Sequence, residues 1–309
     1  MARKWSRYPK GTFYAFTAPW TLGFVVLTAA PLVYGFAVSL TNFDGVSPSW
    51  KFVGIRNYLE LFGDADAWMS LVRTLGFATI VVPLSVAGAL GLAILVNRRL
   101  RGVGVWRTIF FLPSVVPVVA LAIMWKLILN RDAGILNEML AVVGIEKLSW
   151  LTDPTAFYSL VLMTLWGLGG GMVIMLAALQ NVPVELEEAA VIDGAGKWSV
   201  FRHVTVPMVS PILFFQVITG VIGALQILVQ PLLLTPAGGI AGVAAVPSSN
   251  RLFMVRAWEE FFLRSRFGFG SAMLWIYFIV ILGLTLVLLR SSRSLVYYEV
   301  DTDAEGGRG

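Results

Sequence analysis

The 309-residue chain has no cysteine, a single histidine and little charge. Each shortage closes off a class of function. Without cysteine there is no disulfide, no thiolate nucleophile and no thiolate metal site. His203 alone cannot build a histidine metal centre. Charged residues make up 13% of the chain against 58% hydrophobic, and mean hydropathy is +0.80. So little charge cannot cover so much apolar surface in water, and the composition is that of an integral membrane protein. The net charge of +5 is modest. No basic run with interleaved aromatics points to nucleic acid.

Long apolar runs are present. A spanning helix needs about 20 mostly apolar residues. Six stretches qualify: Phe16–Leu40, Leu71–Val96, Trp106–Leu129, Phe157–Leu179, Pro211–Leu234 and Ser271–Leu289. The expected fold is an all-α polytopic membrane protein with six transmembrane helices. Residues 1–15 form a short N-terminal segment, 16–290 the transmembrane domain and 291–309 a tail. The first run is too long for a cleavable signal peptide and lacks a clear small-residue cleavage site.

Basic residues set an expected orientation. Arg3, Lys4, Arg7 and Lys10 precede the first span, Arg98, Arg99, Arg101 and Arg107 follow the second, and Arg290 and Arg293 open the tail. Lys197 and Arg202 lie between the fourth and fifth spans. All these regions are assigned to the cytoplasm, termini included. The loop before the sixth span dissents, because it carries Arg251, Arg256, Arg264 and Arg266.

Charge is missing at mid-depth in the spans. Lys126 and Arg73 lie near span ends, where long side chains reach the interface. Proton relays and voltage sensors need buried ionisable groups, so these classes are disfavoured. Energy for transport would come from outside the membrane segment. Uncharged polar groups are more suggestive. Gln216, Gln226 and Gln230 lie in the fifth run. At about 100° per residue, Gln226 and Gln230 share a face, with Gln216 about a quarter turn away. They fit helix–helix hydrogen bonding or a polar lining for a hydroxyl-bearing solute. Trp166-Gly167-Leu168-Gly169-Gly170-Gly171 in the fourth run fits close helix packing, or a loosened helix beside a ligand path with Trp166 as an aromatic platform.

One polar stretch interrupts these runs between Pro183 and Pro207. Glu185 to Ile192 reads as a helix with acidic residues in its first turns, where the dipole favours them. Leu186, Ala189, Ala190 and Ile192 form its apolar side, opposite Glu187 and Glu188. Gly194-Ala195-Gly196 breaks the helix and permits a sharp turn. Trp198, Phe201 and Val204 follow at a spacing that suits a second short amphipathic piece. A phosphate-binding loop is excluded despite Gly196-Lys197. Val191 stands at the first glycine position and Trp198 where Ser or Thr must hold the metal. An interfacial helix and a docking element for a nucleotide-binding partner remain.

Glu188-Ala189-Ala190, three residues, Gly194, nine residues, then Val204-Thr205-Val206-Pro207 resembles the EAA motif of the membrane subunits of binding-protein-dependent ABC importers. The family prefers isoleucine and leucine where this chain has Val204 and Val206. Glu188 to Ala195 is similar to the carbohydrate-uptake branch. The resemblance extends through Phe52–Tyr58, Pro113–Trp125, Gly134–Asn137, Trp150–Pro154, Leu234–Gly239 and Gly268–Ala272. Ile240 to Ser249 departs from it.

The resemblance implies a type I importer permease in a bacterial inner membrane, with residues 181–210 as the cytoplasmic coupling loop. It implies a second homologous permease, two ABC ATPase subunits, an extracytoplasmic solute-binding protein and a carbohydrate substrate. The chain itself would hold no cofactor and catalyse nothing, since ATP and Mg would be bound by the ATPase. Glu188, Ala189, Ala190, Asp193, Gly194, Ala195, Gly196 and Pro207 would serve ATPase coupling. Trp166, Gln216, Gln226 and Gln230 would line the substrate path. A permease for glycerol-phosphate or another non-sugar solute is the alternative. An ion-coupled secondary transporter would need coupling groups at mid-membrane or broken repeats, and an intramembrane enzyme would need paired catalytic residues.

Overall fold

The computed structural model describes residues 10–48, 50–98, 101–236 and 246–295. Arg3, Lys4, Arg7, Arg99, residues 237–245 and the tail beyond Leu295 lie outside the described residues. The described residues are mainly helical, with no named strand and one isolated bridge between Thr41 and Phe52. The helices are α1 (Lys10–Phe24), α2 (Ala30–Ser39), α3 (Arg56–Gly63), α4 (Ala65–Asn97), α5 (Val103–Val115) and α6 (Val118–Ile128). They continue with α7 (Ile135–Val142), α8 (Ala156–Leu165), α9 (Gly169–Gln180), α10 (Val184–Ile192) and α11 (Lys197–Val200). The last are α12 (Val206–Leu225), α13 (Val229–Leu233), α14 (Phe253–Phe262) and α15 (Phe267–Leu295).

Four continuous helices are long and apolar enough to cross a membrane: Gly11–Ser39, Ala65–Asn97, Lys197–Leu225 and Phe267–Ser292. Two bent pairs, α5 with α6 and α8 with α9, bring the number to six if each pair is one span. The third expected span is therefore not straight, because α5 and α6 meet at 99°. Pro117 explains the break. A residue before proline is pushed from helical to extended geometry, and Val116 sits at φ −68°, ψ 128°. The fourth span bends by 43° between Leu165 and Gly169.

The fifth span also differs from expectation. Its helix begins at Lys197 and ends at Leu225, instead of running from Pro211 to Leu234. The expected second amphipathic piece is thus the first part of this long helix. Hydropathy marks only the apolar window, whereas the helix continues through the polar residues before it. A π-helical turn over Phe201–Thr205 carries the chain past Pro207. Proline lacks an N–H and its ring crowds the carbonyl four residues back. Widening the preceding turn lets Val206 N–H reach Phe201 O instead. The first span repeats the device, with a π-turn at Val25–Ala29 just before Pro31.

The chain divides into two compact units. The first comprises Met1–Ala65 and Ala257–Phe278. Here buried Asn57 donates to the carbonyls of Ser39 and Thr41, both at 2.8 Å. A Cβ on Gly268 would lie 2.0 Å from Thr41 O, so this crossing needs glycine. Arg264 pairs with Glu260 at 2.8 Å, and Arg266 pairs with Glu60. Two of the arginines that dissent from the orientation count are therefore held in internal ion pairs.

The second unit comprises Asp66–Arg256 and Ile279–Gly309. Its core includes Ala93, Val96, Met172, Met175, Leu176, Leu179, Val182 and Val209, drawn from α4, α9, α12 and the residues after α9. Asn137 is fully buried and joins loop residues around it. It accepts from Trp150 Nε1–H at 2.9 Å and from Leu148 N–H at 3.1 Å, and donates to Arg131 O at 2.9 Å. Asp153 accepts N–H bonds from Ser248 at 2.8 Å and Ser249 at 3.2 Å, together with both serine hydroxyls.

Candidate functional site: a capped polar loop and an uncharged cavity

Both ends of the polar loop are anchored in one core, through Val182 before α10 and Val209 after the π-turn. Between these anchors α10 ends in a Schellman arrangement. Ala195 N–H bonds to Ala190 O at 2.9 Å, and Gly194 N–H bonds to Val191 O at 3.0 Å. That pattern requires a left-handed residue, which Gly194 supplies with φ +86°. A Cβ there would meet nothing within 4 Å, so the demand for glycine is one of backbone conformation. Asp193 caps α10, Ala195 follows the turn, and Gly196 is the N-cap of α11. Pro207 lies inside the long helix, in the first turn of α12.

The expected polarity of α10 is not found. Leu186 and Ile192 are exposed, the latter by 85%, while Glu187 is half-buried. Glu187 faces inward because Thr205 donates to its carboxylate at 3.0 Å. Glu188 and Ala189 are exposed and Ala190 is half-buried. A cleft of about 630 Å³ lies between α10 and the start of the long helix, lined in part by Glu187, Glu188, Val191, Lys197 and Phe201. Trp198 is 70% exposed. His203 Nδ1 lies 3.0 Å from Ser199 O, a bond within its own helix.

A second feature lies among α4, α6, α8, α9, α12 and α13. It is a cavity of about 590 Å³ whose lining contains no Asp, Glu, Lys, Arg or His. Its polar side chains are Ser85, Thr164, Thr219, Gln216, Gln226 and Gln230. The three glutamines do line one cavity, but not from one helical face. Gln216 is on α12, Gln226 terminates it, and Gln230 is on α13. The helix breaks after Leu225, so the periodicity argument fails there while the grouping survives.

Gln216 is 8% exposed and donates to Gly171 O at 2.9 Å, which is helix–helix bonding at the cavity wall. Trp166 is not among the lining residues. It is 50% exposed and meets Trp125 edge-on at 5.7 Å. Its glycine-rich neighbours combine a break in the helix with close helix packing. The helix is interrupted at Trp166–Leu168, and a Cβ on Gly169 would come within 2.1 Å of Phe110 O. Sequence reasoning missed Ser85, Thr164 and Thr219. Small hydroxyl residues in apolar helices carry no distinguishing local signal.

The family model of the binding-protein-dependent transport system inner membrane component matches residues 82–296. The chain is 35% identical over 292 residues to the probable ABC transporter permease protein YesP of Bacillus subtilis, covering 93% of this chain and 92% of that one. It is 33% identical to the trehalose/maltose transport system permease protein MalF of Thermococcus litoralis, covering 88% and 89%. Its fold is similar to a chain of a bacterial alginate ABC transporter solved in complex with an alginate pentasaccharide-bound periplasmic protein. That match has a TM-score of 0.77 at 18% identity, over 94% and 96% of the two chains. A six-run apolar chain with this loop and these relatives belongs to the binding-protein-dependent transport system inner membrane components, the permease subunits of ABC importers.

Proposed function

We propose that this permease forms half of the translocation path for a neutral carbohydrate. The uncharged cavity carries the reading. Amides and hydroxyls can exchange hydrogen bonds with a polyhydroxylated solute, and the volume lies in the range of small-ligand sites, about 300–1,000 Å³. A glycerol-phosphate would call for cationic partners, and the lining has none. The trehalose/maltose relative and the sequence of the Glu188–Ala195 stretch support a carbohydrate over other solutes.

A second homologous permease completes the path, and two ABC ATPase subunits dock on the 181–210 loops. Glu188 contributes a polar contact, Ala189 and Ala190 pack against the ATPase, and Gly194 sets the turn that presents them. ATP and Mg belong to the ATPase. An extracytoplasmic solute-binding protein delivers the substrate. ATP binding draws the two coupling loops together and tips the membrane halves outward. Hydrolysis reverses the motion and releases substrate inward. Both termini of this chain face the cytoplasm, in keeping with the basic residues around the spans.

The test is purification of the tagged chain in mild detergent with mass spectrometry of everything that accompanies it. A P-loop ATPase and a second six-span subunit are expected. Proteoliposomes of that complex, given its cognate solute-binding protein, should take up labelled maltose or trehalose in preference to glycerol 3-phosphate. A well-folded chain recovered alone would overturn ATPase docking. ATP-driven uptake of the phosphate ester alone would overturn the carbohydrate assignment.

A further inference from the structure

We infer that Glu187 and Thr205 form a mechanical latch that transmits movement of the coupling loop to the cavity. The inference rests on the docking role proposed above and assigns a positioning role to two residues outside the docking set. It begins with an irregularity among the threonines. Thr74, Thr79, Thr164 and Thr219 each donate to the carbonyl four residues back in their own helix. This is the usual resting place of a helical threonine hydroxyl. Thr205 departs from it and donates across to Glu187 Oε1 at 3.0 Å.

The π-turn coincides with the difference. Thr205 closes that turn, where Val206 N–H bonds to Phe201 O five residues back, so the regular spacing that lines a threonine hydroxyl up with the fourth carbonyl back is lost. Its hydroxyl bonds to a tertiary partner instead. Thr205 is 9% exposed and Glu187 is half-buried, so the bond is shielded from solvent on the threonine side. A carboxylate acceptor makes it stronger than a bond between neutral groups.

Position gives the bond its consequence. Glu187 lies in the middle of α10, the part of the loop presented to a docked partner. Thr205 lies in the helix that runs without interruption to Leu225. Gln216 and Thr219, which line the cavity, are about 16 and 21 Å further along that helix at 1.5 Å per residue. A displacement of α10 therefore pulls on the helix that forms one cavity wall. The π-turn, a site where the hydrogen-bond ladder is already irregular, is where the pull is applied.

This chain has no native cysteine, so labelling read on its own separated band reports only the introduced thiol. Thr219→Cys places a single thiol in the cavity lining. The full complex, with its co-purified ATPase, is treated with a polar maleimide with and without Mg–AMP-PNP. With Glu187 present, the nucleotide should change the labelling rate several-fold. Glu187→Ala should abolish most of that change while the ATPase still co-purifies and still hydrolyses ATP. Glu187→Gln, whose amide oxygen can accept the same bond, should restore it, and Thr205→Ala should mimic Glu187→Ala.

An unaltered nucleotide response in Glu187→Ala overturns the latch. So does failure of Glu187→Gln to rescue, which would make the carboxylate charge the operative feature. Loss of the ATPase in Glu187→Ala would reassign Glu187 as a docking contact. Absence of ATPase from the complex with Glu187 intact would overturn the docking reading itself, and the latch with it.

Discussion

Gln216 and Gly171 hold two helices together at the wall of the cavity. The glutamine amide donates to the glycine carbonyl at 2.9 Å, and a Cβ on Gly171 would come within 3.2 Å of the same side chain's oxygen. Gln216→Ala removes the bond and should lower stability by about 1 kcal/mol. Gly171→Ala should cost about 1–3 kcal/mol, because the new methyl also crowds Ala89. The double variant should cost less than the sum, since the shortened side chain no longer opposes the methyl. Thermal melts followed by tryptophan fluorescence in detergent test this. Strict additivity would show that the two residues are not coupled.

Gly194→Val should separate folding from coupling. Open space surrounds the position, so the penalty is the left-handed backbone, about 1–2 kcal/mol for an L residue and more for a branched one. The membrane helices should stay folded while the Schellman turn rearranges. Expected are a near-normal gel-filtration profile and loss of the ATPase on purification. Retention of the ATPase at normal yield would mean the turn is not what seats the partner.

Gly169 and Gly76 should respond oppositely to alanine. The new Cβ at Gly169 would lie 2.1 Å from Phe110 O, a backbone atom that cannot move independently of α5. Gly169→Ala should cost several kcal/mol and sharply reduce the yield of monodisperse protein. Gly76 lies inside α4, and a methyl added there would meet nothing within 4 Å. Gly76→Ala should be neutral or stabilising by about 0.5–1 kcal/mol, as the gain in helix propensity is unopposed. Comparing the two by melting temperature and expression separates close approach from generic helix preference.

Acid should loosen the loops that Asp153 ties together. Partial burial pushes its carboxyl up, but hydrogen bonds from Ser249 and Ser248 outweigh this and hold it below the ordinary 3.8. A carboxyl depressed in the folded state stabilises it above the unfolded value, and the contribution disappears as pH falls through the folded one. Melting temperature should therefore be insensitive to this group between about pH 7 and 5 and decline below about pH 4. Asp153→Asn should lower stability at neutral pH and flatten the acid decline. An acid limb identical to that of the unaltered chain would show that other carboxyls dominate. Asp44, half-buried and held at about 2 by bonds from the Ser47 hydroxyl and the backbone N–H groups of Ser47 and Val46, adds a local turn with the same sign.

Much of the architecture was legible in the sequence because lipid imposes a length on apolar runs. The six runs correspond to four continuous helices and two bent pairs. Directions were not legible. Hydropathy counts residues and is blind to a 99° turn, although Pro117 was the visible cause. The start of the fifth helix at Lys197 was hidden for the complementary reason, since a helix leaving the bilayer keeps its geometry and changes its composition. α14 falls in a stretch that hydropathy marks as loop, although its mixture of charged and aromatic residues is amphipathic at helical spacing. In the 181–210 loop, Gly194 was readable from the turn it must make. The inward orientation of Glu187 was not, because it depends on a hydroxyl 18 residues away. The glutamines were grouped for an incorrect reason. A break after Leu225 and a short helix bring Gln230 back to the same cavity.

The uncharged cavity wall has an electrical consequence. Each elementary charge moved through the full membrane field exchanges about 2.3 kcal/mol with a 100 mV potential. The lining of this cavity bears no ionisable side chain. Movements of that lining carry none of its own side chains' charge through the field. A neutral solute, as proposed above, would then pass without drawing on the membrane potential or dissipating it.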